Sequence, residues 1–199
     1  LRDQGLITLD PVEINAGAWY LRGPRHDDRV DDRPAVAASA RDPEIRRWRN
    51  RPDPAGPDFD ATVTAHVADR IEGWARGTRY AWSVAEPTTG EMLGEVTLEQ
   101  LDLAHGTAEV RCWTLPPARG RGLARTAVGA VVRFGFGGLG LHRITYHHAE
   151  PNHTSAAVAA ALGFVHEGRM REAWEVDGAR VDVLVLGLLR TDPGPWEAR

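Results

Sequence analysis

The sequence predicts a mixed α/β (α+β) fold, with one central, mostly antiparallel sheet and helices on both faces. Three observations carry this prediction. Short runs of alternating apolar and polar residues recur along the chain, the period of a strand. Between them lie segments whose apolar residues recur at spacings of three and four, the period of a helix. A glycine-rich hexapeptide, Arg119, Gly120, Arg121, Gly122, Leu123 and Ala124, joins a strand-like run to a helix-like one. The order is strand, two helices, a three-strand meander, helix, strand, helix and hairpin. One mixed sheet packed on both sides is the economical solution for that order.

Length and composition set the frame. A chain of 199 residues with 42% hydrophobic content suits one domain with a substantial core. A net charge of −4 argues against a dedicated nucleic-acid binder. All 24 basic residues are arginine. A single cysteine, Cys112, excludes an internal disulfide framework and fits a reducing cytoplasm. No apolar run reaches the roughly 18–20 residues that span a bilayer, and the N-terminus lacks a signal-peptide pattern. The expectation is a cytoplasmic protein with no membrane and no nucleic-acid partner.

Residues 1–18 are weakly patterned, and Ile7, Leu9, Val12 and Ile14 suit a short extended arm. Trp19–Arg22 reads as a first strand, opening a domain that runs over 19–190. Residues 23–34 are charged and read as a solvated loop. A short helix is expected over Ala35–Ala40. Asp42 followed by Pro43 marks the start of a second helix, with Asp42 as cap and Pro43 in the first turn. Three prolines and a glycine in 51–58 exclude regular structure, leaving a loop able to lie over a pocket. Asp60 is expected to cap a helix to Ala75, with Val63, Val67, Ile71 and Trp74 on one face.

Alternation of Tyr80, Trp82 and Val84 against Ala81, Ser83 and Ala85 gives a strand over 79–85. Pro87 to Gly90 is turn chemistry. Strands follow at 93–101 and 108–115. After the hexapeptide, a helix runs from Leu123 to Phe136, apolar around much of its circumference and stopped by Gly137 and Gly138. A short strand covers 143–148. Asn152 or Thr154 caps a helix over 155–162, which Gly163 ends. A strand begins at Phe164, Asp177 and Gly178 turn a hairpin, and Val181–Leu189 is the last strand. Residues 191–199, rich in Pro and Gly, form a loose tail.

The hexapeptide carries the chemistry. Backbone N–H groups at a helix N-terminus lack internal partners, and the helix dipole adds partial positive charge there. Glycines let a phosphate approach closely, and Arg119 and Arg121 add charge suited to it. By spacing this is a diphosphate cradle. It is neither a Walker loop nor a dinucleotide fingerprint, because it lacks the Gly-Lys-Ser/Thr ending and the third glycine. The alternative is an ordinary turn with solvated arginines.

Three signatures together resemble the GNAT acyltransferase superfamily, and within it the branch that acetylates ribosomal-protein N-termini. The first is Pro116 to Ala124, which fits the family's pyrophosphate loop. The second is Asn152, His153, Thr154 and Ser155, then Leu162, Gly163 and Phe164, then Glu167, Gly168 and Arg171. The third is Asp177 and Gly178 with Asp182. The resemblance covers roughly residues 19–190.

The resemblance implies acetyl-coenzyme A, or another acyl-coenzyme A, as co-substrate and no metal. The pyrophosphate would meet the amides of Gly120, Gly122, Leu123 and Ala124, with Arg119 and Arg121 alongside. The pantetheine arm would lie against the backbone of Trp113, Thr114 and Leu115. A V-shaped splay would separate the strand at 108–115 from that at 143–148, the fourth and fifth in the expected order. Asn152 would bond the pantetheine arm, cap the helix, or do both. Ser155 would protonate the leaving thiolate; many relatives use a tyrosine further along that helix, where this chain has none. Ser155 could equally serve the helix start alone.

A carboxylate near the strand junction would accept the amine's proton. Glu109 is the first choice, on the face of Arg111 and Trp113, with Glu95 and Glu99 as rivals and a cross-strand ion pair as its structural alternative. A backbone N–H near residue 114 or 115 would hold the developing oxyanion. His142, His147, His148 and His153 match no zinc spacing, and in a strand His147 and His148 point to opposite faces. One of these two could line the acceptor slot. Cys112 reads as a small core residue. Trp48 lies where this family builds its acceptor wall, with core packing as the alternative.

The function implied is an N-acetyltransferase moving an acetyl group to a primary amine by direct attack. The amine is a protein N-terminus or a small molecule, and a homodimer is compatible. One alternative is another acyl donor, such as succinyl-coenzyme A, in antibiotic modification or biosynthesis. The other is a non-catalytic acyl-coenzyme A sensor or subunit.

Overall fold

A computed structural model describes residues 10–49 and 54–194. The elements are β1 (Ile14–Ala16), β2 (Trp19–Arg22), α1 (Arg33–Arg41), α2 (Pro43–Trp48), α3 (Phe59–Arg76), β3 (Tyr80–Ala85), β4 (Met92–Asp102) and β5 (Thr107–Thr114). A 3-10 turn (Pro116–Ala118) leads to α4 (Leu123–Gly137), β6 (Arg143–Ala149), α5 (His153–Ala161), β7 (Val165–Val176) and β8 (Ala179–Leu189). The strands form one eight-stranded sheet in the order β1-β2-β3-β4-β5-β6-β8-β7. Every neighbouring pair is antiparallel except β5 and β6, which the α4 crossover makes parallel.

That parallel pair is the irregular place in the sheet. Its pairing runs only over Thr107↔Arg143, Ala108↔Ile144 and Glu109↔Thr145. Beyond Glu109 the two strands part, which is the splay expected from the sequence. Both of its walls stay paired on their outer sides, β5 to β4 through Thr114 and β6 to β8 through Ala149.

Side-chain alternation and register divide the sheet into two faces. Tyr80, Trp82, Val84, Val96, Leu98, Val110, Ile144 and Tyr146 share the face that packs with α4 and α5, and all are buried in one continuous core. Trp82 is fully buried and edge-on to Trp74 at 4.8 Å and to Phe134 at 5.3 Å. Burying each such ring is worth about 1.5–3 kcal/mol. The opposite face carries Ala81, Ser83, Glu95, Thr97, Glu99, Glu109, Arg111 and Trp113. A smaller apolar cluster of Val36, Ile45, Phe59, Val63, Val67, Met92, Trp113 and Leu115 joins α1–α3 to this side.

Several expectations are corrected. Helix α3 starts at Phe59, so Asp60 sits in its first turn, and Asp58 takes the N-cap position without a side-chain cap bond. Ile71 is 42% exposed, whereas Val63, Val67 and Trp74 are buried. At 3.6 residues per turn two successive steps of four carry Ile71 about 80° round from Val63, and the step of three to Trp74 brings the pattern back. Strand β3 is buried on both faces, because helices cover both. Within the expected arm, residues 14–16 form a sheet strand paired with β2, while Ile7 and Leu9 lie outside the described residues.

The loop at 23–34 is pinned, not freely solvated. Arg22 and Asp32 are buried and form a bidentate pair at 2.7 and 2.9 Å. Asp32 also accepts from Ser83 at 2.7 Å and from the Arg25 N–H at 2.8 Å. Exposure in this loop is confined to residues 26–29, Asp31 and Pro34. The expected loop at 51–58 falls partly outside the described residues. Asp42 caps α2 as expected, accepting from the Ile45 N–H at 2.8 Å.

Candidate active site

The hexapeptide forms the entrance to α4. Gly120 and Gly122 have φ of 70° and 78°, in the left-handed region that glycine alone enters without strain. Gly122 is the N-cap of α4, and a Cβ built on either glycine would meet no protein atom within 4 Å. The first helical bond is Thr126 N–H to the Gly122 carbonyl at 3.0 Å, so the N–H groups of Leu123, Ala124 and Arg125 precede the ladder. The result is an open backbone cradle of donors at a helix N-terminus, which suits an anion.

The two loop arginines have protein partners. Arg119 pairs with Asp42 and donates from Nε to the Thr114 carbonyl at 3.3 Å. Arg121 stacks over the Trp19 ring at 4.8 Å. Beside the cradle lies a groove of about 490 Å³ between α4 and α5, lined by Arg125, His153, Thr154, Ala157, Val158 and Ala161. Arg125 is a cation that the motif reading overlooked. Its position in the first turn of α4, facing α5, was legible only with the helix pair in hand.

In the splay, ladder alternation decides which backbone groups are open. The Leu115 N–H donates to the Leu93 carbonyl at 2.8 Å, and Trp113 pairs with Glu95 in the same phase. Backbone groups of Trp113 and Leu115 therefore turn toward β4, and those of Cys112 and Thr114 turn toward the slot. Of the three residues expected to offer backbone contacts, Thr114 remains, and Cys112 joins it. An oxyanion donor at Leu115 is excluded on the same ground. Thr114 also holds a buried Oγ1 with no hydrogen-bond partner.

On the cofactor side of the slot, Asn152 caps α5 by accepting from the Ser155 N–H at 3.0 Å, which leaves its amide NH2 for another acceptor. Ser155 Oγ lies 2.8 Å from the Tyr146 hydroxyl, and Cys112 Sγ is 3.9 Å from the same oxygen. Tyr146 is 3% exposed, and burial pushes its phenol well above the ordinary range. Burial likewise raises the Cys112 thiol. Both are neutral at physiological pH. The hydroxyl beside Ser155 thus comes from a tyrosine on β6, where α5 has none. The alternation of Ile144, Tyr146 and His148 put it on an inward face, but nothing in the sequence paired that face with Ser155.

The opposite side of the slot is built of carboxylates and arginines. Glu109 is 2% exposed and stands at the last paired rung of β5 and β6. Its Oε1 accepts from Arg111 Nε at 2.7 Å. Its Oε2 lies 3.3 Å from His147 Nδ1, without the alignment of a hydrogen bond, and is left unpartnered. Burial raises the Glu109 pKa, but His147 and Arg111 outweigh it and hold the carboxyl below its ordinary value.

Glu95 is equally buried but fully engaged. It takes His66 Nε2 at 3.1 Å and Trp113 Nε1 at 3.2 Å, with Arg70 Nε at 3.5 Å. Burial opposes its ionisation, and His66 and Arg70 overcome that and hold it far below the usual range. Glu99 is matched by Arg111 at 2.7 Å and Arg79 at 3.3 Å. Of the three candidates, Glu109 alone keeps a free buried oxygen. As expected for a strand, His147 and His148 point to opposite faces, and His148 is buried with Nδ1 2.9 Å from the Ala149 carbonyl oxygen. Trp48 donates to Glu44 at 2.8 Å and stays outside both apolar clusters.

Comparison with known proteins fits this geometry. The model of the acetyltransferase (GNAT) domain matches residues 20–165. The spermidine N(1)-acetyltransferase of Vibrio cholerae is 26% identical over 144 residues, covering 72% of this chain and 79% of its own length. RimJ of Mycobacterium smegmatis, solved in complex with CoA-disulfide, superposes with a TM-score of 0.72 at 25% identity, covering 91% of this chain and 86% of that one. The ribosomal-protein-S5-alanine acetyltransferase of Vibrio fischeri has the same fold, with a TM-score of 0.75 at 21% identity over 92% of this chain and all of that one (100%). Among the described residues no helix is long and apolar enough to cross a membrane. The matched model spans most of the chain, and the chain belongs to the GNAT family of acetyltransferases.

Proposed function

We propose that this protein transfers an acetyl group from acetyl-coenzyme A to a primary amine by direct attack, without a covalent enzyme intermediate. The observation that carries the reading is the splay itself. It opens just past Glu109, with an anion cradle at one end and a buried carboxylate at the other. The diphosphate binds the N–H groups of Gly120 to Ala124, with Arg125 in reach. Arg119 and Arg121 contribute once they leave Asp42 and Trp19. The pantetheine arm runs along the open edge of Cys112 and Thr114, adding a strand-like partner to β5. The Asn152 amide and the Thr114 hydroxyl are available to its amide groups.

The amine enters from the side of α1–α3. Glu109 accepts its proton, directly or through one water, and the free amine attacks the thioester carbonyl. The new C–N bond forms as the carbonyl electrons move to oxygen, and a slot-facing N–H of Cys112 or Thr114 holds that oxyanion. Collapse breaks the C–S bond. The leaving thiolate takes a proton from Ser155, which Tyr146 at 2.8 Å replenishes. The second proton of the attacking nitrogen passes to water as the amide forms, and water returns a proton to Tyr146. A depressed pKa makes Glu109 a weak base that is always ionised. It acts as a proton acceptor of convenience, and orientation supplies much of the rate.

Support for the amine class comes from the relatives, whose names include a spermidine and a ribosomal-protein acetyltransferase. The decisive experiment measures thiol release from acetyl-coenzyme A with small amines and peptide N-termini, beside calorimetric binding of coenzyme A. Turnover with at least one amine is expected. Gly122→Glu should abolish coenzyme A binding, because it adds both a side chain and a negative charge to the cradle. Retained binding in that variant, or tight binding with no turnover on any amine, would overturn the reading.

A further inference from the structure

Whole-chain charge and slot charge differ in sign. The chain carries a net −4. At the acceptor end of the slot, Glu95, Glu99 and Glu109 face Arg70, Arg79 and Arg111, and Arg49 adds a fourth guanidinium beside Glu95, Glu99 and Cys112. Each carboxylate already has its cation. A polycation entering here finds one open carboxylate oxygen, Glu109 Oε2, for its reacting end, while its remaining charges meet arginines that already hold their carboxylates.

The unused capacity belongs to the arginines. Arg111 meets both Glu99 and Glu109 through the same atom, Nε, at 2.7 Å. Among the described residues its two Nη groups have no hydrogen-bond acceptor, and its side chain is 37% exposed. Arg49 follows α2, is half-buried, and among the described residues makes no side-chain hydrogen bond. An open guanidinium fork is the natural seat of a carboxylate. The same Arg111 group touches Glu109, so an anion on its Nη atoms sits beside the amine that Glu109 would deprotonate.

We propose that the acceptor is an amine whose own molecule carries a carboxylate a few bonds away, seated on Arg111 with Arg49 alongside. This rests on the acetyl-transfer reading above and narrows its substrate class. It separates this chain from the polyamine acceptor named for its Vibrio cholerae relative. Two sources share the required chemistry, a free amino acid and a peptide N-terminus followed by an acidic residue.

The test is thiol release from saturating acetyl-coenzyme A with matched acceptors: L-alanine against L-alaninamide, and Ala-Glu-amide against Ala-Gln-amide, with spermidine as the polycation. The carboxylate member of at least one pair should lead in kcat/KM by about tenfold or more, the range of a charge-assisted contact. Which pair discriminates identifies the source. Arg49→Met, which leaves Glu109 and Arg111 in place, should raise KM for the carboxylate acceptor by a larger factor than for its amide. Arg111→Lys should lose the preference in kcat/KM while keeping a cation beside Glu109. Equal rates within both pairs, or spermidine as the best acceptor, would overturn the proposal while leaving acetyl transfer intact. Silence with every amine would instead bring down the acetyl-transfer reading, and this one with it.

Discussion

Tyr80, Trp82, Val84, Val96, Leu98 and Val110 stand on one face of β3–β5. Ala81, Ser83, Glu95, Thr97, Glu99, Glu109 and Arg111 stand between them on the other. Burial does not separate the two sets, since Trp82 is 0%, Glu95 2% and Glu109 2% exposed. What separates them is how each face is stabilised. The α4 face gains by removing apolar area from water. The α3 face has to match buried charge with opposite charge, and among the described residues it leaves the Nε atoms of Arg22, Arg70 and Arg79 and one acceptor, Glu109 Oε2, without a hydrogen bond. A buried acceptor left unmatched costs about 1–3 kcal/mol. A fold keeps such a group where a substrate supplies the partner. On the proposed reading, the α4 face carries most of the apolar core and the α3 face carries the proton acceptor.

The largest expected effect breaks the first half of that comparison. Trp82→Ala removes a fully buried ring that donates to the Val12 carbonyl at 2.7 Å and touches Trp74 and Phe134. It should lower unfolding free energy by about 3–5 kcal/mol, measured in denaturant. Turnover per folded molecule should hardly change. A large loss of kcat in the fraction that stays folded would mean that the two faces are not separable.

Glu109→Gln tests the other half. It keeps shape and removes the proton acceptor, so kcat should fall by roughly 10², the low end for a general base that is this weak. Coenzyme A affinity should stay close to wild type, and the neutral-pH unfolding midpoint should be lowered by loss of the charge contacts with Arg111 and His147. The acid limb of stability adds a second reading. Glu95 and Glu109 both have folded pKa values below their ordinary ones. Such groups contribute stability above the unfolded pKa of about 4.3 and lose it as pH falls through the folded value. Unfolding midpoints should therefore be flat from neutrality to about pH 5 as far as these two groups go, and then decline. Glu109→Gln should make that decline shallower, and a Glu109→Gln curve that declines as steeply as wild type would show that this carboxyl is not held down by Arg111 and His147.

Legibility in the sequence follows the same division. The α4 face was readable because its signals are local: alternation in 79–85, the helical run from Leu123, glycines at the cradle. Asn152 as a cap and Asp42 before Pro43 were readable for the same reason. In the slot the sequence named Glu109, Asn152 and Ser155 but not what each of them meets. Tyr146 and Ser155, nine positions apart, meet because β6 turns sharply into α5, and no period encodes that meeting. His66 on α3 and Glu95 on β4 are 29 positions apart and become partners only once α3 lies across the sheet. Loop 23–34 looked solvated because its charges were counted singly, whereas Arg22 and Asp32 neutralise one another in the interior. Charge pairing between distant segments is the information that a single sequence withholds.

A smaller effect probes the boundary between the faces. Tyr146 and Ser155 lie on the apolar side but belong to the slot. Ser155→Ala and Tyr146→Phe should each lower kcat by roughly tenfold, below the full range of general acid catalysis because water can still protonate a thiolate. The double variant should be no worse than either single one if the two hydroxyls act as one relay. Independent, multiplying losses would show that they serve the reaction separately.

The smallest expected effect is informative because the helical pattern argues the other way. Val63, Val67, Ile71 and Trp74 look equivalent by spacing, yet Ile71 is 42% exposed and Val67 is 1% exposed. Ile71→Thr should change unfolding free energy by no more than about 0.5 kcal/mol. Val67→Ala, one turn earlier, loses buried methyl groups from the cluster that holds α3 to the sheet and should cost about 1–2 kcal/mol, short of the larger Leu→Ala losses. If Ile71→Thr proved as costly as Val67→Ala, Ile71 would have to be covered by something outside the described residues.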